Sequence, residues 1–229
     1  MHPPSQTAAP RLWWHPRRRF SLAEVIADGV VHGIGLAVAL GLGTVLVVFA
    51  ALGTARDDLP AILVYLVSLV TVLGVSLAFN LAPVSGVRRL LARLDQAAIF
   101  LFIAGTYTPF LAVLGGTPTA TLLTALVWGG ALVGIALKLI VPQRFGRLAI
   151  LLYLAIGWSG ILVFGTLAAT LPAVTLWLVV AGGIAYSAGI VFHLWDKLKF
   201  HNVVWHVFVV AGSTCHLWAV FHLMVLSRL

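Results

Sequence analysis

The sequence predicts an all-α membrane protein, a bundle of seven transmembrane helices with the N-terminus in the cytoplasm and the C-terminus outside. Three observations predict it. Of 229 residues, 62% are hydrophobic and only 9% are charged, against roughly 25% charged in a soluble domain. Apolar runs long enough to cross a bilayer, about 20 residues, recur seven times. Basic residues gather in alternate connections between those runs. With a mean hydropathy of +1.10, the chain carries more apolar surface than a core of this size can hide, and that surface belongs in lipid.

The first span covers roughly 22–52, long enough to tilt or to begin in the interface. Ser21-x-x-Glu24 reads as a capping box ahead of it. The stretch RLWWHPRRRF resembles the start of a signal peptide, but the apolar run continues without a clear cleavage site and is read as a retained span. Residues 1–20 are expected to form a basic cytoplasmic segment, with Trp13, Trp14 and Arg17 to Arg19 at the lipid headgroups. Residues 21–229 then make one transmembrane domain.

The other spans run roughly 61–82, 95–115, 119–140, 148–169, 172–193 and 203–226. Pro60, Pro118 and Pro172 stand at or just before span starts, where a missing N–H costs nothing. Pro83 and Pro142 follow span ends, and Pro109 should kink the third span. Gly130-x-x-x-Gly134 and Ala185-x-x-x-Gly189 permit close helix approach.

Lysine and arginine set the orientation. Twelve of them lie in the N-terminal segment and in the second, fourth and sixth connections; only Arg56 and Arg228 lie on the other side. Basic residues stay cytoplasmic. The net charge of +8 therefore reflects span ends rather than a face for nucleic acid. A single cysteine, Cys215, excludes an internal disulfide.

This topology brings polar residues to one depth. Ser76 and Asn80 close the second span, Asp95 opens the third, and Asn202 and His206 open the seventh. Each pair spaced by four lies on one helix face. Ionisable residues inside a membrane are costly and usually functional. Glu24, Asp28 and His32 form a stripe on the first span and should face the interior as supporting polar groups, bonding Asp95 or one another. His216 lies about 15 Å from His206 along the same helix, too far to share an ion, and reads as a buried hydrogen-bonding histidine. His222 reads as interfacial, and His193 and His201 as span-end residues on the cytoplasmic side.

At these residues the chain resembles the hemolysin III family, which is related to the adiponectin and progestin receptors and more remotely to the alkaline ceramidases. The resemblance runs from about Ser21 to Leu223 and is carried by Glu24 with HGIG (His32 to Gly35), RLDQAAIFLFIAGTYTPF, YLAIGW, GGIAYSAG and WHVFVVAGS. It implies an intramembrane zinc ion near the cytoplasmic side. The family holds that ion with a histidine late in the second span and two histidines spaced by four that open the seventh, with a serine and an aspartate nearby. Carried over by position, the serine is Ser76, the aspartate is Asp95 and the last histidine is His206. The other two ligand positions are Asn80 and Asn202.

A neutral amide oxygen is a poor substitute for imidazole on zinc. Three states stay open at this point. The site is metal-free, or it takes a harder ion such as magnesium or manganese through Asp95 and amide oxygens, or His193, His201 or Asp196 completes a zinc site. The functional classes follow. One is a plasma-membrane hydrolase of a lipid amide or ester, with metal-bound hydroxide attacking the carbonyl, Asp95 orienting or deprotonating the water, and Ser76 positioning the carbonyl. Another is a non-enzymatic sensor or interaction protein without metal. Pore formation, suggested only by the family's name, comes last. Membrane lipid is the expected partner in every case.

Overall fold

The computed structural model describes residues 20–53, 55–83, 85–141 and 146–229. Residues 1–19, with the basic segment and Trp13 and Trp14, lie outside the described residues, as do Pro142 and Arg144. The described residues form helices α1 (Leu22–Leu52), α2 (Leu59–Leu81), α3 (Gly86–Val113), α4 (Pro118–Ile140), α5 (Gly146–Gly157), α6 (Phe164–Thr170), α7 (Ala173–Leu194) and α8 (His201–Met224), and no strand. Among the described residues, seven segments are long and apolar enough to cross a membrane; α5 and α6 together make the fifth, Leu148–Thr170.

Helix α1 shows why the bundle suits lipid. One stripe, Glu24, Asp28, His32, Gly35, Ala39, Gly43, Leu46 and Ala50, is buried. The opposite stripe, Leu22, Ile26, Val30 and Ile34, is exposed and wholly aliphatic. The usual amphipathic pattern is inverted: the polar groups point inward and the apolar ones outward, as a hydrocarbon solvent demands. Helix α1 packs between α2 and α8, α2 against α3, α3 against α4, and α7 against α8. Tyr65, Phe100, Leu46 and Ile62 are fully buried in the resulting core.

Helix starts follow local chemistry. Ser21 accepts from the Glu24 N–H while Glu24 accepts from the Ser21 N–H, completing the capping box expected from sequence. Helix α3 begins at Gly86, nine residues before the apolar run at about 95, because the Ser85 hydroxyl accepts from the Arg88 N–H at 3.2 Å and initiates the helix ahead of the run. Arg88 then donates to the Ala82 carbonyl and lies 4.8 Å over the Phe79 ring, tying the turn from α2 to α3. Pro109 sits buried inside α3, which continues through it to Val113.

The fifth span is broken where the sequence suggests one continuous helix. A 3-10 segment, Ser159–Val163, separates α5 from α6. Backbone groups freed by such a break must find partners in lipid. Tyr107 of α3 supplies both: its hydroxyl donates to the Gly157 carbonyl at 2.7 Å and accepts from the Gly160 N–H at 2.9 Å.

Close helix contacts rest on glycine. A Cβ on Gly134 would overlap the Phe100 ring, and one on Gly182 would overlap the His216 ring. The Gly130/Gly134 pair thus admits side chains from α3 and α5 rather than a bare helix backbone.

Candidate functional site

One end of the bundle carries Arg88, Arg89, Arg93, Lys138, Lys197 and Lys199, and the site lies just inside it. Helix α1 contributes Glu24, Asp28 and His32, spaced by four and all buried. Helix α2 contributes Ser76 (buried) and Asn80, α3 contributes Asp95, and α8 contributes Asn202 and His206. Each of these helices starts or ends at the basic end, so their terminal turns face one another.

His206 is the hub. Its Nδ1 lies 2.5 Å from Asp28 Oδ1, and its Nε2 lies 3.4 Å from Ser76 Oγ. The Asp95 carboxylate adjoins Ser76 and lies within electrostatic range of His206 and Asp28. The His32 ring meets the His206 ring edge-on, with centroids 4.3 Å apart. His32 Nδ1 lies 2.9 Å from the Asp28 carbonyl oxygen one turn back, and 3.5 Å from Asp28 Oδ2. One oxygen from Asp28 and one ring nitrogen from each of His32 and His206 all lie within 4.8 Å of one another. Asp28 Oδ2 is buried and accepts no hydrogen bond.

The two asparagines are paired. Asn202 Nδ2 donates to Asn80 Oδ1 at 3.3 Å and to Asp28 Oδ1 at 3.4 Å. Asn80 Nδ2 donates to the Ser76 carbonyl at 2.9 Å. The donor set that the family resemblance implies, positions 80, 202 and 206 with Asp95, therefore does not fit zinc: the Asn80 oxygen is taken by Asn202, and Asn202 turns its NH2 group, which cannot ligate, toward the carboxylate.

The remaining polar residues lie around this cluster. Glu24 Oε1 accepts from the Phe200 N–H at 2.8 Å, holding the connection from α7 to α8 against α1. Phe200 adopts a left-handed conformation, φ 59°, the only non-glycine residue to do so among those described. A crevice of about 10 Å³, room for one water at most, lies beside Asp28, lined by Phe20, Glu24, Asn80, Phe200 and Asn202.

His193 lies within electrostatic range of His206 and His201, but neither His193 nor His201 joins the group whose donor atoms converge. The His193 ring packs on Trp205 at 5.2 Å and the His201 ring on Phe20 at 5.7 Å. His216 lies apart, its Nε2 3.0 Å from the Val179 carbonyl. His222 bonds Thr175 at 2.8 Å.

Sequence spacing marks Asp28 and His32 only as interior support. The packing of α1 against α8 makes them part of the centre. The signal that carries them is an aspartate and a histidine one turn apart within an otherwise apolar span.

Comparison with known proteins follows the same residues. The family described as Haemolysin-III related matches residues 20–217. The chain is 36% identical over 195 residues to the Hemolysin-3 homolog of Bacillus subtilis (strain 168), covering 85% of this chain and 91% of that protein. It is 36% identical over 190 residues to Hemolysin-3 of Bacillus cereus, covering 83% of this chain and 87% of the relative. It is 28% identical over 127 residues to the Monocyte to macrophage differentiation factor of Homo sapiens, covering 55% of this chain and 52% of that protein. No solved structure matches.

Proposed function

The chain belongs to the haemolysin-III related family, and from that premise we propose that it is a membrane hydrolase of a lipid amide or ester bond, with its chemistry at the basic end of the bundle. One observation carries the reading: Ser76 meets His206 beside Asp95, so polar groups of α2, α3 and α8 converge, with Asp28 of α1 behind them. Asp28 lies six residues into α1 from Leu22, about 9 Å at 1.5 Å per residue. That depth suits the acyl carbonyls, which lie just inside the polar headgroups.

In this reading the Asp95 carboxylate takes a proton from the attacking water and returns it to the departing amine or alkoxide as the C–N or C–O bond breaks, while the Ser76 hydroxyl, beside Asp95 and His206, positions the scissile carbonyl. Asp28 holds the His206 ring by Nδ1, which leaves Nε2 turned to Ser76. The basic end faces the cytoplasm of the inner (plasma) membrane by the positive-inside rule, with the N-terminus inside and the C-terminus outside. Reporter fusions to the two termini test this orientation.

The hydrolase reading is tested with detergent-purified protein in bilayer discs, supplied with a panel of lipid amides and esters. Cleavage that falls at least about 100-fold in Asp95→Asn, as loss of a general base predicts, supports it. Absence of cleavage across the panel, with and without added zinc, rejects it.

A second reading, a non-enzymatic sensor or interaction protein, draws on the pairing of Asn80 with Asn202 at the positions where the family has ligands. It predicts that Asp95→Asn leaves the cellular phenotype of a deletion strain fully complemented.

A further inference from the structure

We infer that this chain holds one divalent metal ion of the zinc class through Asp28, His32 and His206, a site moved from positions 80 and 202 onto α1. The inference rests on the proposed hydrolysis only for its catalytic consequence, which is a water-activating ion beside Ser76 and Asp95.

Four features of the cluster point to an ion. The first is convergence: a carboxylate oxygen and two ring nitrogens lie within 4.8 Å of one another. Donors about 2.0–2.2 Å from a common tetrahedral zinc stand roughly 3.3–3.6 Å apart, a spacing that side-chain rotations give these three. The second is the orphaned oxygen: Asp28 Oδ2 is buried and accepts no hydrogen bond. A buried carboxylate oxygen that accepts no hydrogen bond is costly, and a cation relieves that cost directly.

The third is the tautomer. His32 Nδ1 lies 2.9 Å from the Asp28 carbonyl oxygen, an acceptor, so Nδ1 carries the proton. Its Nε2 is then left with a lone pair. An imidazole fixed by a carbonyl through one nitrogen and free at the other is the usual setting of a metal-ligating histidine. The fourth is charge. Asp28 and Asp95 lie within electrostatic range of each other, and one divalent ion balances both in a medium where uncompensated charge is expensive.

The asparagines gain a role in this arrangement. Asn202 donates to Asp28 Oδ1, and Asn80 holds Asn202 in turn. They orient the carboxylate from behind, as hydrogen-bond partners of metal ligands do. Two imidazoles and one carboxylate favour zinc or a similar borderline ion over magnesium or calcium, and leave the fourth position open for water.

The test is metal content and X-ray absorption at the zinc edge on the intact protein, purified without chelator. The expected result is about one zinc per chain, with two imidazoles in its coordination shell. His32→Ala and Asp28→Asn should each weaken zinc retention at least about tenfold while eluting as folded protein, and His222→Ala, at the far end of α8 where its partner is Thr175, should keep its zinc. Protein without metal, a zinc shell with one imidazole, or retention unchanged in His32→Ala overturns the inference. If the variants fail to fold, the wild-type absorption spectrum still decides. Zinc bound by two imidazoles in a protein that cleaves no lipid would uphold the site and reject the hydrolase; cleavage by metal-free protein would do the reverse.

Discussion

His206 Nδ1 stands 2.5 Å from Asp28 Oδ1, and this contact joins α8 to α1 across 178 positions of the chain. Both side chains are buried, so removing one strands the other. Asp28→Ala leaves the His206 imidazole and the Asn202 amide without their carboxylate acceptor, a loss of about 2–3 kcal/mol for a hydrogen bond to a charged group. Thermal unfolding in detergent should shift down accordingly, and less in Asp28→Asn, which keeps the shape. An unchanged unfolding temperature in Asp28→Ala would mean that the contact contributes nothing.

Glu24 does two jobs at once. It closes the capping box with Ser21 and accepts from Phe200, whose backbone is held at φ 59°. Left-handed backbone costs a bulky residue about 1–2 kcal/mol, and the Glu24 bond offsets part of that. Glu24→Ala should loosen both the start of α1 and the connection to α8. Limited proteolysis between Trp195 and Phe200 should then accelerate severalfold; equal cleavage rates would show that other contacts hold this loop.

Tyr107 repairs the broken fifth span. Tyr107→Phe deletes its bonds to Gly157 and Gly160 and leaves a carbonyl and an N–H unpaired in lipid, at about 1–3 kcal/mol each. Hydrogen exchange around 157–163 should rise while α1 and α8 stay protected. Uniform protection in the variant would argue that water already serves these groups.

Glycines of similar sequence setting should behave differently. A Cβ on Gly129 meets nothing within 4 Å, whereas one on Gly134 overlaps the Phe100 ring. Gly129→Ala should be neutral or stabilise by up to about 1 kcal/mol through helix propensity. Gly134→Ala should destabilise by about 1–3 kcal/mol, the range for overpacking. Parallel melts of the two variants check the sign of each.

Near the other end of the bundle, Arg228 pairs with Asp58 at 2.6 Å, both side chains partly exposed. Pairs of this kind contribute less than about 1 kcal/mol and weaken with salt. Asp58→Asn should shift the melt only slightly, and the shift should vanish in high salt.

The spans were legible because lipid residence is decided locally. Each apolar residue adds its own transfer energy, so composition and run length suffice, and α1 begins at Leu22 where the capping box puts it. The start of α3 was less legible, because Arg88, Arg89 and Arg93 interrupt the apolar run while Ser85 still caps a helix. The break at Ser159–Val163 was invisible, since its partners come from Tyr107, about fifty positions away.

By itself, then, the sequence determined that this chain lives in a membrane, how many times it is long enough to cross, and that Ser76, Asn80, Asp95, Asn202 and His206 lie at like depths. Depth follows from counting residues along each helix. Only the tertiary structure decided which side chains touch, because that depends on how each helix is rotated and which neighbour it meets. It turned the two asparagines toward each other and set Asp28 and His32 of α1 against His206, so that the centre is built around a carboxylate that the spacing alone had left in the background.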